Sequence, residues 1–274
     1  MNDQPITQPT ESVRYRNAPV VERVVTLRVP MKAELFESRL EAWNAIVSPE
    51  YPVSEPLVEW LVQMEEKEGV PLFDTLSPKL KITPRFSRRS KADGFDWSIR
   101  CPSGQFTMNM HSHPGSERCY QNLRDEFAKW LPRWMDHFGV EKAEVLSMGY
   151  INDLSHEVTP QFFNDRGLEL GKVLKVFASV PGKHESLEPP YDCRVTVNLG
   201  NSPARKLLIR VNDMRDSNGN LGIRVSLDAI AEIAGVTDHL KVLELLDWCH
   251  TRIIERFESV FTDAARLSFE PERE

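Results

Sequence analysis

The sequence predicts an α+β fold in which a curved antiparallel sheet has long helices packed on one face. The first observation is a set of short runs in which β-forming residues alternate with polar ones, separated by turn-forming residues, as in antiparallel strands. The second is a pair of long stretches, at about 116–138 and 237–267, with apolar residues every three or four positions, which indicates amphipathic helices. Because both halves show similar elements in a similar order, the pattern also suggests a tandem pseudo-repeat.

The first half begins with a valine-rich strand that ends at Pro30. We predict a strand, two helices, three short strands and a long helix, over residues 20–29, 32–47, 56–67, 80–82, 95–99, 106–110 and 116–138. Gly139 is the expected C-terminal cap of the long helix, since glycine adopts the left-handed conformation without strain. Pro132 lies inside this helix and predicts a kink or a break, because proline lacks the N–H that a helix interior needs.

The second half has the same order of strand, helix, several strands and long helix. We predict a strand, a short helix, four strands, a short helix and a long helix, over residues 142–153, 159–164, 172–180, 193–199, 206–212, 221–227, 228–234 and 237–267. Residues 1–14 are expected to be a flexible tail. The predicted organisation is therefore a tail followed by two α+β halves, 15–140 and 141–274, in one compact unit.

The composition is that of an acidic globular protein. Of the 274 residues, 41% are hydrophobic and 27% are charged, and the formal net charge of −7 lowers the expectation of non-specific nucleic-acid binding. The four cysteines form no CxxC pair, so we expect free thiols rather than a disulfide scaffold. The chain has neither a signal-peptide pattern nor an apolar stretch of membrane-spanning length, and we expect a soluble cytoplasmic protein.

Three arginines stand out in the predicted strands of the second half. Apolar residues alternate along these strands, and the opposite face then collects Arg194, Arg210 and Arg224, one on each strand. Arginine forks suit phosphates and carboxylates, so this face is a candidate surface for an anionic ligand or an acidic protein partner. The alternative is a solvated face on which the arginines form cross-strand ion pairs with surface acids.

His250 lies at the edge of the apolar stripe of the last predicted helix. It is a candidate binding residue, as a general base, as a ligand, or as part of a small-ligand pocket that also includes Trp248. The alternative is a boundary histidine that hydrogen-bonds within the protein, because no acid or nucleophile is placed beside it in the sequence.

The segment His111-Ser112-His113 is the nearest approach to a metal motif, with Cys101 or Cys119 as a further ligand. The alternative is a polar strand end that leads into a turn. Phosphate-loop, dinucleotide-binding, serine-hydrolase and zinc-protease motifs are missing from the sequence. We therefore assign no catalytic residue, metal or cofactor, and we expect a binding protein, with a metal-assisted hydrolase of nucleotides or nucleic acid as the alternative.

Three segments, taken together, resemble a sporadically distributed family of uncharacterised bacterial and archaeal proteins. They are Tyr15-Arg16-Asn17-Ala18-Pro19-Val20-Val21-Glu22, Met148-Gly149-Tyr150-Ile151-Asn152, and Leu246-Asp247-x-x-His250 followed by Phe257 and Phe261-Thr262-Asp263. The family more often has a larger residue in place of Gly149. The resemblance directs attention to Asn17, Glu22, Asn152 and His250, and it implies a setting on mobile elements, such as a toxin–antitoxin or phage-defence system.

Overall fold

The computed structural model describes residues 14–15, 18–56, 61–64, 76–79, 86–92, 95–102, 104–112, 120–164, 167–178, 192–201, 203–216, 218–233 and 238–272. The strands are β1 (Arg14–Tyr15), β2 (Val20–Arg28), β3 (Val53–Pro56), β4 (Leu61–Met64), β5 (Leu76–Lys79), β6 (Phe86–Ala92), β7 (Phe95–Arg100), β8 (Gln105–Ser112), β9 (Val145–Leu154), β10 (Phe163–Asn164), β11 (Gly167–Leu168), β12 (Asp192–Asn201), β13 (Ala204–Arg215), β14 (Leu221–Glu232) and β15 (Pro271–Glu272). The helices are α1 (Ala33–Val47), α2 (Tyr120–Phe138), α3 (Leu170–Val173), α4 (Lys175–Ala178), α5 (His239–Val260) and α6 (Asp263–Ser268), with a 3₁₀ turn at Pro160–Phe162.

Nine of the described strands form one antiparallel sheet, in the order β12-β13-β14-β9-β2-β8-β7-β6-β3. The two halves of the chain meet where β2 pairs with β9. In each half the opening strand also pairs with the last of three consecutive strands, β2 with β8 and β9 with β14. The predicted α+β fold with an antiparallel sheet is therefore confirmed, whereas the tandem repeat stays a prediction.

The core lies between one face of this sheet and the long helices. α2 packs on β8, α5 packs on β9 and β14, and the two helices contact each other. Alternate residues of the central strands are fully buried beneath them, such as Val25 and Leu27 on β2 and Met148 on β9. Two alanines, Ala229 and Ala231, are among the buried residues of β14. Their small side chains let α5 lie close to the sheet.

The structure also shows where local sequence patterns mislead. The predicted helix at 56–67 is wrong, because its described residues belong to strands β3 and β4. A short apolar run fits a helix and a strand equally well, and Pro56 is tolerated because β3 is an edge strand, where its missing N–H interrupts no ladder. The predicted strand at 80–82 lies outside the described residues, while β6 is a strand that the sequence analysis missed.

Two further predictions in the second half are wrong. Over its described residues, 172–178, the predicted strand is instead the short helices α3 and α4 with Leu174 between them, and Leu170, Val173 and Leu174 are buried. Tertiary burial overrides the β-propensity of the valines here. The predicted helix at 228–234 is instead the end of β14, whose ladder with β9 continues to Glu232.

The helix ends follow from local chemistry. Gly139, at φ +63°, ends α2 as predicted, and the helix continues through Pro132 without a break. The predicted helix at 237–267 is divided into α5 and α6, because Phe261 forms an isolated bridge with Leu174. Thr262 then caps α6 by accepting a hydrogen bond from the backbone N–H of Ala265. Within the described part of the chain, none of the helices is long and apolar enough to cross a membrane.

Candidate functional site

The sheet face opposite α2 and α5, called the polar face below, carries a row of aligned side chains. The pairing register places in this row, from β12 to β7, Arg194, Arg210, Ser226, Ile151, Glu22, His111 and Asp96. Directly opposite residues on neighbouring strands point to the same side, so these side chains share one surface. Near β7 and β8 polar side chains of this face are buried, as Ser98 and Asn109 are. On strands β12 and β13 the polar side chains of this face are exposed or half-exposed.

Arg224 forms a two-pronged ion pair with Asp153 on the neighbouring strand β9. Its Nε donates to Oδ1 over 2.7 Å and its Nη2 donates to Oδ2 over 2.8 Å. The carboxylate side chain is 13% exposed and the arginine side chain is 47% exposed, so the acid lies beneath and holds the guanidinium at the surface. The hydrogen bond to Asp153 raises the pKa of Arg224 above its usual value.

Arg210 is held in the same way by Asp228 on β14. Its Nη2 donates to Oδ2 over 2.7 Å, and the acid is again the more buried partner. Burial raises the pKa of the Asp228 carboxyl, and Arg210 offsets part of that rise. The carboxylate occupies the space above Gly149, where an added Cβ would lie 2.4 Å from Oδ1 of Asp228. Gly149 therefore makes room for this ion pair.

Arg194 lies directly opposite Arg210 on the edge strand and is exposed. Like charges in this position repel each other. Among the described residues Arg194 has no ion-pair partner, whereas the other two arginines do. The predicted arginines therefore do share one face, here called the arginine row (Arg194, Arg210 and Arg224). The alternative of cross-strand ion pairs holds for Arg210 and Arg224, whereas Arg194 has no ion-pair partner in the part of the chain that the structure describes.

A shallow concavity of about 330 Å³ lies on the same face, towards the other end of the strands. Arg28 on β2, Lys206 on β13 and Glu232 on β14 contribute its charges, and Thr26 and Ser147 contribute hydroxyl groups. Arg28 has only a loose ion pair with Glu144, at 3.5 Å between half-exposed side chains. The concavity is open and its lining mixes charged, hydroxyl and apolar side chains, so it extends the polar face rather than forming an enclosed pocket.

Glu22, on β2, is the centre of a second polar group on this face. It accepts a hydrogen bond from the Asn109 side-chain amide, and its Oε1 lies 3.3 Å from Nε2 of His111. Glu22 and His111 belong to two different segments of the sequence that were considered separately, and the pairing of β2 with β8 places their side chains side by side. Asn17 lies outside the described residues.

His250 is on the other side of the sheet, within the core. Its ring stacks on Tyr120 of α2, with 3.8 Å between centroids, and its Nδ1 lies 2.8 Å from the Tyr150 hydroxyl on β9. Burial lowers the pKa of His250 to about 4, and the positive charge of Arg23 adds to this effect. The imidazole is therefore neutral at pH 7, and its ring packs against Tyr120 and Tyr150. This geometry is that of a histidine that hydrogen-bonds within the protein, and it places His250 apart from the arginine row.

The hydrogen bonds around His250 continue to the helix surfaces. The Tyr120 hydroxyl donates to Oδ1 of Asp247 over 2.6 Å, and Arg124 donates to both oxygens of that carboxylate. Asp247 and His250, the polar residues of the Leu-Asp-x-x-His motif, thus both bind Tyr120 of α2. The cluster joins β9, α2 and α5, and this role in packing explains the spacing of the motif.

Asn152, in the second resemblance segment, is fully buried at a bulge in the β2–β9 pairing. Its side-chain amide donates to the Val225 carbonyl oxygen over 3.0 Å. It therefore links β9 to the neighbouring strand β14 beside the bulge, which is a structural role.

The residues of the possible metal motif are separated or lie outside the described chain. His111 faces the polar side of the sheet, whereas Cys101 is buried beside Trp43 and Trp134, and its burial raises the pKa of the thiol. His113 and Cys119 lie outside the described residues. In the part of the chain that the structure describes, no three His, Cys, Asp or Glu side chains form a group that could hold a metal ion.

Comparison with known proteins identifies no relative for this chain. No protein-family model matches it, and no curated protein is significantly similar to it. The family resemblance of the three segments therefore stays a prediction.

Proposed function

We propose that the protein is a binding protein that holds an anionic group of a partner on its polar face, at the arginine row. The observation that carries the proposal is the direct juxtaposition of Arg194 and Arg210 on neighbouring strands of an acidic protein. Arg194 has no ion-pair partner among the described residues, and its repulsion by the neighbouring Arg210 is destabilising unless an anion lies between the two side chains. A carboxylate or phosphate bound there would relieve the repulsion and use the free N–H groups of both side chains.

The buried acids beneath the arginines support the same proposal. Asp153 and Asp228 fix the orientation of Arg224 and Arg210 while leaving about half of each arginine side chain exposed. A side chain that is already ordered loses less conformational entropy when it binds a ligand. The protein partner that we favour presents acidic side chains along an extended segment, because the arginines are spread over three neighbouring strands.

The test is calorimetric titration of the purified protein with a hexaglutamate peptide and, separately, with inorganic phosphate. We expect binding of the peptide that weakens as salt is added, since exposed charges are screened. The variants Arg194→Glu and Arg210→Gln should each weaken it by about tenfold, which corresponds to about 1.4 kcal/mol. Stronger binding of phosphate than of the peptide would identify a phosphate-bearing partner through the same chemistry.

The matched control is Lys241→Glu, which makes the same change of charge at an exposed position of α5, on the other side of the sheet. Its affinity should equal that of the wild type. If Arg194→Glu binds as the wild type does, or if Lys241→Glu weakens binding as much as Arg194→Glu does, the arginine row is not the binding site. Gene neighbourhood tests the separate proposal that the partner belongs to a mobile defence system of the cytoplasm.

A further inference from the structure

The two ends of the nine-stranded sheet differ in how well they resist pairing with another strand. The β3 end is short, with four residues, and it ends in Pro56. Short strands and prolines are common protections of a sheet edge. The β12 end is ten residues long and contains no proline. Within the described chain, β12 pairs with β13 only, so its other edge has a free row of backbone donors and acceptors.

The side chains of β12 facing the helix side are unusually apolar for an exposed edge. Val195 is 39% exposed and Leu199 is 37% exposed. Val197, which lies between them, and Cys193, which precedes Val195, are half-buried. No charged residue interrupts this strip, because the two charges of the strand, Asp192 and Arg194, fall on the polar face. An inward-pointing charge is another usual protection of an edge, and β12 lacks it.

We propose that β12 pairs with β12 of a second copy of this chain, antiparallel, about a two-fold axis at Thr196. This register is self-complementary. Val195 lies opposite Val197 of the second copy and Arg194 lies opposite Asn198, within the stretch of β12 whose pairing with β13 is regular, whereas Leu199 lies at a bulge. The exposed Val195 is then covered by a valine, and no like charges face each other across the new ladder.

The consequence is one continuous sheet through both copies. Both polar faces lie on the same side of it, because a two-fold axis perpendicular to a sheet keeps each face on its own side. The arginine rows of the two copies would then flank the axis. The dimer forms whether or not a partner binds the arginine row, so its test is independent of the proposed function.

The experiment is sedimentation velocity over a dilution series of the full chain. The wild type should show a dimer that dissociates on dilution, and Val195→Lys should be a monomer, since two lysines would be brought together beside the axis. The control Val53→Lys places the same charge on an exposed valine of the β3 edge, where Val53 is 52% exposed, and it should dimerise as the wild type does. A wild type that is monomeric throughout, or a dimer that persists in Val195→Lys, would overturn the proposal.

A cysteine substitution tests the register itself. Thr196→Cys, combined with Cys193→Ser, should form a disulfide-linked dimer on mild oxidation, because only the register centred on Thr196 places this residue opposite itself. The Cys193→Ser variant alone is the control and should give no such product. If the double variant stays uncrosslinked while it sediments as a dimer, the two copies meet at another surface and the proposed pairing is wrong.

Discussion

The Tyr150 hydroxyl lies 2.8 Å from Nδ1 of His250, and this contact joins the centre of the sheet to the last long helix. The two residues are 100 positions apart in the sequence. His250 is also stacked on Tyr120, so one imidazole contacts β9 and α2 from its position on α5. A buried ring that is held by both stacking and a hydrogen bond fixes the position of α5 over the sheet.

The first prediction concerns the pH dependence of stability. The pKa of His250 is about 4 in the folded protein and about 6.5 in the unfolded chain, so the unfolded state binds more protons between these values. The free energy of unfolding should therefore fall as the pH is lowered from about 6.5 to about 4, by at most about 3 kcal/mol from this group. Urea denaturation at a series of pH values measures it.

The control for this prediction is His250→Gln, which can keep a hydrogen bond to Tyr150 but does not titrate. Carboxylates contribute to acid destabilisation in both proteins, so the difference between the two pH profiles isolates the histidine. Parallel profiles for the wild type and His250→Gln between pH 4 and 6.5 would show that His250 is not held neutral in the folded state.

The second prediction concerns Gly149. Gly149→Ala should destabilise the protein by roughly 1 to 3 kcal/mol, because its Cβ would displace the Asp228 carboxylate from its place beside Arg210. Gly200→Ala is the matched control, since an added Cβ there meets its nearest atom at an ordinary 4.0 Å. That control should be neutral or slightly stabilising.

A double variant shows whether the collision with Asp228 is the cause. In an Asp228→Ala background, the Gly149→Ala penalty should largely disappear, as thermal unfolding would measure. An undiminished penalty in that background would mean that the alanine disturbs the β9 backbone itself and not the ion pair.

The third prediction uses the unequal burial of the Arg224–Asp153 pair. Arg224→Gln leaves a mostly buried carboxylate without its cation, whereas Asp153→Asn leaves a half-exposed arginine that water can solvate. At neutral pH the arginine substitution should therefore cost more, roughly 1 to 3 kcal/mol. Denaturant unfolding of both variants gives the comparison, and equal costs would contradict the buried position of Asp153.

The fold class could be predicted because alternation and helical spacing are local properties of the sequence. The same alternation placed the three arginines on one face. Ion pairs of these arginines were one alternative, but their acid partners could not be identified, because Asp153 lies on a distant segment of the chain and residues from Asp228 onwards were expected to form a helix. Ala229 and Ala231 favour a helix by propensity, yet they are strand residues because the ladder between β14 and β9 continues through them.

The role of His250 could not be decided from the sequence either. Its place at the edge of an apolar stripe is consistent with a ligand and with a packed histidine alike. Only the tertiary structure brings Tyr120 and Tyr150 against its ring and thereby favours the second.

The arginine side chains themselves give the most direct test of binding on the polar face. Two-dimensional ¹H–¹⁵N spectra resolve arginine Nε–Hε groups, and substitution of each arginine assigns its signal. On titration with hexaglutamate, the signals of Arg194 and Arg210 should shift together, and that of Arg133, an exposed arginine on α2, should not. Unmoved Arg194 and Arg210 signals at saturating peptide, or equal shifts at Arg133, would contradict the proposal that this face holds the partner.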